Sequence, residues 1–361
     1  MNKNSKIYVA GHRGLVGSAI WRNLQSKGYL NLIGQSHQEL DLMDAASVSS
    51  FFDREKPEYV ILAAAHVGGI IANNTYRADF IYRNLQIQNN VIGESFRHHV
   101  KKLLFLGSSC IYPREASQPI SEEALLTGPL EYTNEPYAIA KIAGLKMCES
   151  FNIQYGTNYI AVMPTNLYGP YDNFDLEKSH VLPAIMRKVH LAKAVMSDDW
   201  AAVREDLNRR PIEAVSGSST QQDIESKLRK YGIHNGRLEL WGSGKPLREF
   251  LWSEDMADAS VYIMENINFS DLSRGKTEIR NCHINIGTGK EISIHDLARL
   301  IKKSIGYDGE ISFDSAKPDG TLRKLTDVSK LIALGWKHSV EVDEGVKRLY
   351  QWYIGDASHF K

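Results

Sequence analysis

The chain has 361 residues, 43% of them hydrophobic, enough for a sizeable core and more than one compact unit usually holds, so two lobes are expected. Forty-three basic side chains balance 43 acidic ones, which excludes a long-range pull toward nucleic acid or a membrane surface and makes any phosphate affinity local. Three cysteines without a CxxC pair, a start (MNKNSKIYVAGHRG) that runs straight into a strand, and no apolar run longer than Tyr59 to Ala65, far short of the ~20 residues of a membrane span, give the expectation of a cytoplasmic protein without disulfides, signal peptide or membrane segment.

Short apolar runs alternate with segments of helical period through the first half. The pattern predicts strands at Lys6–Val9, Leu30–Gly34, Tyr59–Ala63, Lys102–Leu106 and Tyr159–Met163, with helices at Gly17–Ser26, Ala45–Phe52, Asp79–His98 and Tyr137–Tyr155. That alternation is an α/β, Rossmann-type doubly wound parallel sheet to about residue 175. After Pro170 the pattern turns to helices and loops, and strands return at Phe250–Trp252 and His283–Ile286. The expected division is 1–175 plus about 250–288 for a dinucleotide-binding domain. About 176–249 plus 289–361 would form a smaller α/β substrate-binding lobe.

The segment IYVAGHRGLVG places Gly11, Gly14 and Gly17 between a strand and a helix. Small residues there let a pyrophosphate approach the backbone, where free helix N–H groups and the helix dipole favour an anion. Arg13, Leu15 and Val16 share this loop, so the cofactor site is expected over Gly11–Gly17. A carboxylate about 20 residues on, at the end of the second strand, would grip the ribose of NAD. Gly34-Gln35-Ser36-His37 supplies none, which favours NADP(H), with Arg13 available to its 2′-phosphate. The bland alternative for Arg13 is a surface salt bridge.

The strongest signal is GSSCIYP followed by NEPYAIAKIAG. Tyr137 and Lys141 stand one turn apart on one helix face, behind Pro136, which suits a first turn. A lysine ammonium beside a tyrosine favours the phenolate, so the Tyr137 pKa is expected to fall toward working pH. Ser108, at the carboxyl end of the fourth strand, would sit in the crevice where open α/β sheets bind ligands. Three side chains then meet at one carbonyl: Tyr137 passes the proton, Lys141 tunes it and holds the nicotinamide ribose, and Ser108 hydrogen-bonds the oxygen.

At these residues the chain resembles the extended short-chain dehydrogenase/reductases and, among them, the GDP-L-fucose synthases. GHRGLVGSAIW, AAAHVGGIIANN, LGSSCIYP, EPYAIAKIAG, MPTNLYGPYDNF, SHVLPA, WGSGKPLREFLW, INIGTG and KPDGTLRKL carry the likeness over nearly the whole chain. The resemblance implies an NADPH-dependent enzyme that epimerises GDP-4-keto-6-deoxy-D-mannose at C3 and C5 and then reduces the C4 ketone to GDP-L-fucose. It implies reductase roles for Ser108, Tyr137 and Lys141, and places the epimerisation acid and base at Cys110 and His180. Leu106, Gly107, Ser108 and Ser109, together with Met163, Pro164, Thr165, Asn166 and Leu167, match stretches that line the cofactor, as does His180. Lys188, Trp241, Arg248 and Asp319 match positions that hold the nucleotide sugar. Arg248 suits a pyrophosphate on chemical grounds too, since its planar fork reads phosphate oxygens bidentately. Two departures stand out. Some relatives have arginine where this chain has His37, which weakens the 2′-phosphate contact, and a segment near 198–235 is extra. Its two helical stretches, SDDWAAVREDLN and QQDIESKLRKYG, are expected as surface helices serving as a cover, an assembly contact or a tolerated insertion.

Outside these motifs the bland readings are preferred. Cys148 and Cys282 read as core; His98 and His99 with Lys101 and Lys102 read as a solvated helix end, and no metal site is expected. The helices Asp79–His98 and Tyr137–Tyr155 have broad apolar faces that suit core burial, and the resemblance implies that they also build a homodimer. Sugar-nucleotide 4,6-dehydratases share the Tyr–Lys pair but need an Asp–Glu pair just after the serine, where this chain reads Ser109-Cys110-Ile111-Tyr112. A sister reductase acting on another GDP-6-deoxy-4-keto hexose or heptose, without epimerisation, is the alternative. A non-catalytic NADP sensor should have lost part of the Ser108–Tyr137–Lys141 set, which is complete here.

Overall fold

The computed structural model describes residues 1–317 and 319–355, with 70 and 71 described by backbone alone. The chain divides into two compact units. The first holds Met1–Tyr171, Glu249–Lys290 and Lys324–Val340; the second holds Asp172–Arg248, Glu291–Arg323 and the chain from Glu341 onward. The return of Lys324–Val340 to the first unit departs from the division expected above, which left everything after 288 in the second lobe. Leu325 and Asp327 explain it, because their backbones bond to Ile120 of the first unit at 2.7 and 2.9 Å.

In chain order the first unit opens with β1 (Ile7–Ala10), α1 (Leu15–Ser26), β2 (Leu32–Ile33), α2 (Ala45–Glu55), β3 (Tyr59–Leu62), α3 (Ile70–Thr75), α4 (Arg77–Arg97), β4 (Lys102–Leu106), α5 (Glu135–Tyr155), β5 (Tyr159–Pro164) and β6 (Asn166–Tyr168). The second unit follows with α6 (Val181–Met196), α7 (Trp200–Arg209), α8 (Gln221–Lys230), β7 (Ile233–His234), β8 (Arg237–Trp241) and β9 (Leu247–Arg248). The chain re-enters the first unit through β10 (Phe250–Trp252), α9 (Ser253–Asn266), α10 (Phe269–Ser273) and β11 (Ile284–Ile286). It then gives the second unit β12 (Ile292–Ser293), α11 (Ile294–Ile305) and β13 (Glu310–Asp314), the first α12 (Ser329–Ala333), and the second α13 (Val342–Ile354).

Six parallel strands in the order β11-β5-β4-β3-β1-β2 form the sheet of the first unit. Their centres are apolar on both faces, as sequences such as IYVA and KLLFL require when helices cover both sides. Ile7, Val9, Ile20, Leu104, Val162 and Ile284 fill the core on one side, and Tyr8, Phe52, Leu103 and Phe105 on the other. The strand at Phe250–Trp252 does not join this sheet but pairs with β6 as a separate parallel ribbon, Phe250 opposite Asn166. The second strand is shorter than its sequence suggests, Leu32–Ile33, and Leu30 before it is 84% exposed.

Lys102 is a correction. It is buried rather than solvated, and its ammonium donates to the carbonyls of Ile263 at 2.7 Å and Met264 at 2.9 Å and also to that of Ile267. These carbonyls lie at the C-terminal end of α9 and its cap, where a cation is favoured electrostatically. Cys148 and Cys282 are buried, as expected of core cysteines.

The second unit is built on the small sheet β13-β8-β7, with β8 and β13 parallel from Arg237 opposite Glu310 to Trp241 opposite Asp314. An antiparallel ribbon of β9 against β12 carries Arg248, which stands opposite Ile292. Among the described residues no helix is long and apolar enough to cross a membrane.

Candidate active site

The glycine loop is shaped by close backbone contacts. Gly11 has φ +84°, and a side chain there would meet the Ala64 backbone at 2.8 Å; one at Gly17 would meet the Gly11 carbonyl at 2.1 Å. Glycine at 17 thus lets α1 start against the turn. Gly14 caps α1 with no side-chain hydrogen bond, so the first N–H groups of the helix stay free for an anion. This narrow cradle with an open helix end fits a dinucleotide pyrophosphate. Arg13 is exposed at its rim and forms no ion pair among the described residues. The carboxylate missing from 34–37 is found two residues further. Glu39 accepts from the Ser36 backbone and hydroxyl, each at 2.7 Å, and these bonds, aided by the Arg13 charge, lower its pKa.

The carboxyl ends of β4 and β5 lie side by side, with Leu106 opposite Val162 and the Gly107 N–H donating to the Val162 carbonyl at 2.8 Å. This register brings Leu106–Ser109 and Met163–Leu167 to one end of the sheet. A side chain at Gly107 would meet the end of the Met163 side chain at 2.3 Å and the Val162 carbonyl at 3.1 Å. Past Gly107, Ser108 caps a single turn, accepting from the Cys110 N–H at 3.2 Å, so Ser108 and Cys110 share one bend. Tyr112 closes the bend by donating to the Asn285 side chain and contacting His283 at 3.0 Å.

Helix α5 begins at Glu135 with Pro136 in its first turn, which sets Tyr137 near its start. Gly144 lets the helix press on β4, since a side chain would meet the Phe105 ring at 2.4 Å. That approach carries Lys141, 3% exposed, onto the Leu106 carbonyl at 2.8 Å, with its ammonium 5.8 Å from the centre of the Tyr137 ring. Tyr137, Lys141 and Cys110 therefore lie together.

The expected electrostatics of the pair are overturned. Burial raises the Tyr137 hydroxyl well above the ordinary tyrosine value, and charge on Cys110 raises it further. Burial also lowers Lys141 to about 8, against a smaller opposing effect of Cys110. At Lys141, which is buried, and Tyr137, which is half-buried, desolvation by the surrounding protein outweighs the attraction that would favour a phenolate. Tyr137 is thus a phenol, ready to donate a proton.

In the second unit, His180 stands at the N-terminal cap of α6 with its ring exposed, and the protein around it lowers its pKa by desolvation. Eight residues along the same helix, Lys188 is buried, which lowers it to about 8, and its ammonium lies 5.7 Å from the centre of the Trp241 ring. Trp241 is 51% exposed, and Lys317 approaches the same ring at 5.7 Å. Arg248 donates to the Thr321 carbonyl at 2.6 Å. Asp319 accepts from the Ser243 N–H at 2.8 Å and its hydroxyl at 2.6 Å, tying KPDGT to the WGSG turn. All four expected nucleotide-sugar residues are in this unit.

Sequence reasoning missed Glu249, Lys317 and Asp172. Glu249, fully buried, accepts from the N–H groups of Thr288, Gly289 and Thr326 at 2.6, 2.7 and 3.0 Å and from the Thr326 hydroxyl at 2.6 Å. Its own carbonyl receives the Thr165 hydroxyl at 3.3 Å and the Asn166 amide at 2.9 Å, which fixes the strand expected to line the cofactor. Asp172 carries a buried oxygen without a partner, and burial pushes its carboxyl up to about 7. Only the tertiary structure shows that Glu249 is buried and that one oxygen of Asp172 is closed off from water. Among the described residues no cluster of three or more His, Cys, Asp or Glu side chains could hold a metal ion.

The sequence profile of the NAD dependent epimerase/dehydratase family matches residues 7–207 and 216–287. The chain is 51% identical to GDP-L-fucose synthase 1 of Arabidopsis thaliana over 98% of its length and 94% of the relative's. It is 46% identical to GDP-L-fucose synthase of Escherichia coli (strain K12), covering 99% and 98%. A solved GDP-D-glycero-L-gluco-heptose synthase from Campylobacter jejuni, in the presence of NADPH, superposes with a TM-score of 0.91 at 46% identity, over 98% of this chain and 99% of that one. With most of its length matched by the family profile and relatives about half identical from end to end, the chain belongs to the NAD dependent epimerase/dehydratase family.

Proposed function

We propose that the chain is an NADPH-dependent GDP-L-fucose synthase, which epimerises GDP-4-keto-6-deoxy-D-mannose at C3 and C5 and reduces the resulting ketone at C4. The observation that carries this reading is the gathering of Ser108, Cys110, Tyr137 and Lys141 where β4 ends and α5 begins, in a chain about half identical to relatives of that name. NADPH, when bound, supplies the hydride. Gly11–Gly17 and the ends of β4 and β5 would hold it, with Arg13 at the 2′-phosphate, Lys141 at the nicotinamide ribose and His180 also in contact.

The chain's own groups do the rest. A ketone at C4 acidifies the hydrogens at C3 and C5, so one base and one acid can invert each centre. Cys110 takes the proton and His180 returns it. Ser108 hydrogen-bonds the C4 oxygen, which stabilises the charge that builds there. Tyr137, kept a phenol by the desolvation that raises its pKa, gives that oxygen its proton during reduction. Lys188, Trp241, Arg248 and Asp319 hold the GDP portion, the ring by stacking and the diphosphate by cations.

A second reading is favoured by one observation, the likeness to the Campylobacter heptose synthase. There the chain would reduce a GDP-linked 4-keto heptose and leave epimerisation aside. NADPH oxidation followed by absorbance with GDP-4-keto-6-deoxy-D-mannose, and product stereochemistry by NMR, separates the two. Conversion to the L-fuco product supports the first. Reduction without inversion at C3 and C5 favours the second. The reading includes a cytoplasmic homodimer, supported by the family resemblance and by exposed apolar residues on α4 and α5: Tyr82, Ile139, Ile153 and Tyr155.

A further inference from the structure

The extra segment is a built part of the second unit. Arg204 donates to the carbonyls of Gly217 and Ser219 at 2.6 and 2.8 Å, and Glu213 receives Lys227 at 2.6 Å, Tyr231 at 2.9 Å and also Lys230. These bonds tie α7, the intervening loop and α8 into one piece. Its most consequential contact is buried. Arg187 of α6 is wholly inaccessible, and its Nε and Nη2 each lie 2.9 Å from an oxygen of Asp206 on α7. The rest of the guanidinium donates to the Phe174 carbonyl at 3.1 Å and to the Arg210 carbonyl. Asp206 also accepts from the Tyr353 hydroxyl of α13, and the Arg210 guanidinium lies 4.4 Å from the centre of that ring.

A buried ion pair adds little to stability over apolar packing, because desolvation offsets its attraction. What a fork with several fixed partners does supply is direction. Arg187 and Lys188 are consecutive on one helix, about 100° apart around its axis. Pinning Arg187 to Asp206, Phe174 and Arg210 therefore sets the rotation of α6 at the point where Lys188 leaves it toward Trp241.

We infer that Asp206 is a positioning residue for nucleoside-diphosphate binding: through Arg187 it sets the rotation of α6 and aims Lys188 at the ligand beside Trp241. The extra segment is then part of the nucleotide site's framework rather than a cover over it. This rests on the reading that Lys188 and Trp241 hold GDP.

The test uses the full chain, with GDP and NADPH binding measured separately by calorimetry below the melting temperature of each variant. Asp206→Asn should weaken GDP about tenfold, the scale of a lost charged hydrogen bond, and leave NADPH within about twofold. Tyr353→Phe keeps the ion pair and removes only a donor to Asp206, so it should weaken GDP about threefold. In turnover, KM for the nucleotide sugar should rise in both while kcat holds, a split that general loosening of the fold does not produce. If Asp206→Asn does not fold, Tyr353→Phe decides alone. Wild-type protein that binds GDP beside folded variants that bind it equally well overturns the inference. Wild-type protein that does not bind GDP overturns the nucleotide reading and this inference with it.

Discussion

Lys141 donates to the Leu106 carbonyl at 2.8 Å, and that bond joins the helix that carries Tyr137 to the last residue of β4, just before Gly107 and Ser108. Desolvation raises the Tyr137 hydroxyl and lowers Lys141 to about 8, so the lysine is the member of the pair expected to titrate nearer neutral pH.

The NADPH-dependent rate should therefore fall as pH rises through about 8, where Lys141 loses its charge, while Tyr137 stays protonated. Lys188, also near 8, should make GDP binding fall over the same range. Lys188→Arg keeps its charge at any such pH and should shift the GDP profile upward without moving the NADPH profile. GDP profiles that coincide in the two proteins would refute the assignment. For stability the sign is opposite: both lysines have folded-state pKa values below the ordinary 10.5, so burying their charge costs most below about 8. That cost fades, and these two contributions to stability rise, between pH 8 and 10.5.

Epimerisation and reduction should separate by mutation. Cys110→Ser is expected to abolish solvent-deuterium uptake at C3 and C5 and to leave measurable NADPH oxidation on the un-epimerised ketone. Tyr137→Phe should stop hydride transfer while some exchange persists. Mass spectrometry of recovered substrate reads both, and wild-type deuterium uptake in Cys110→Ser would remove Cys110 as the base.

Preference for NADPH over NADH should depend on Arg13. Arg13→Ala is expected to narrow the difference in affinity about tenfold, the scale of a charged hydrogen bond to the 2′-phosphate. Glu39→Gln should act in the opposite sense, because it removes a negative charge near Arg13. Equal affinities for the two cofactors in the unmutated protein would contradict this.

Glu249→Ala should destabilise the first unit by at least about 3 kcal/mol, since four donors lose their acceptor in a site closed to water. Urea unfolding checks it. A loss below about 1 kcal/mol would mean that water or a neighbouring group replaces the carboxylate.

Deletion of 198–235 should be poorly tolerated, because it strips a wholly buried Arg187 of its counter-charge. The expected loss is about 3–5 kcal/mol, seen as a lower melting temperature. An unchanged melting temperature would return the segment to the status of a tolerated insertion.

The sheet was legible in the sequence because its strands are short apolar runs separated by helical periods, a pattern local enough to read without partners. The glycine loop, the place of Ser108 at the end of the fourth strand and the Tyr137–Lys141 pair were legible for the same reason: each is a short motif whose spacing has a local geometric meaning. Three things depended on long-range placement. Phe250–Trp252 reads as a strand in either setting, and only its pairing with β6 keeps it out of the main sheet. Lys102 reads as a surface charge, and nothing in the sequence singles out Glu249 or Asp206, since nothing local marks a charge whose partners are distant in sequence or supplied by backbone. The tyrosine's protonation could not follow from its spacing to a lysine, because desolvation is set by everything packed around the pair. Local pattern determined the elements and the motifs; tertiary packing decided which charges are removed from water, and with them the protonation state of the site.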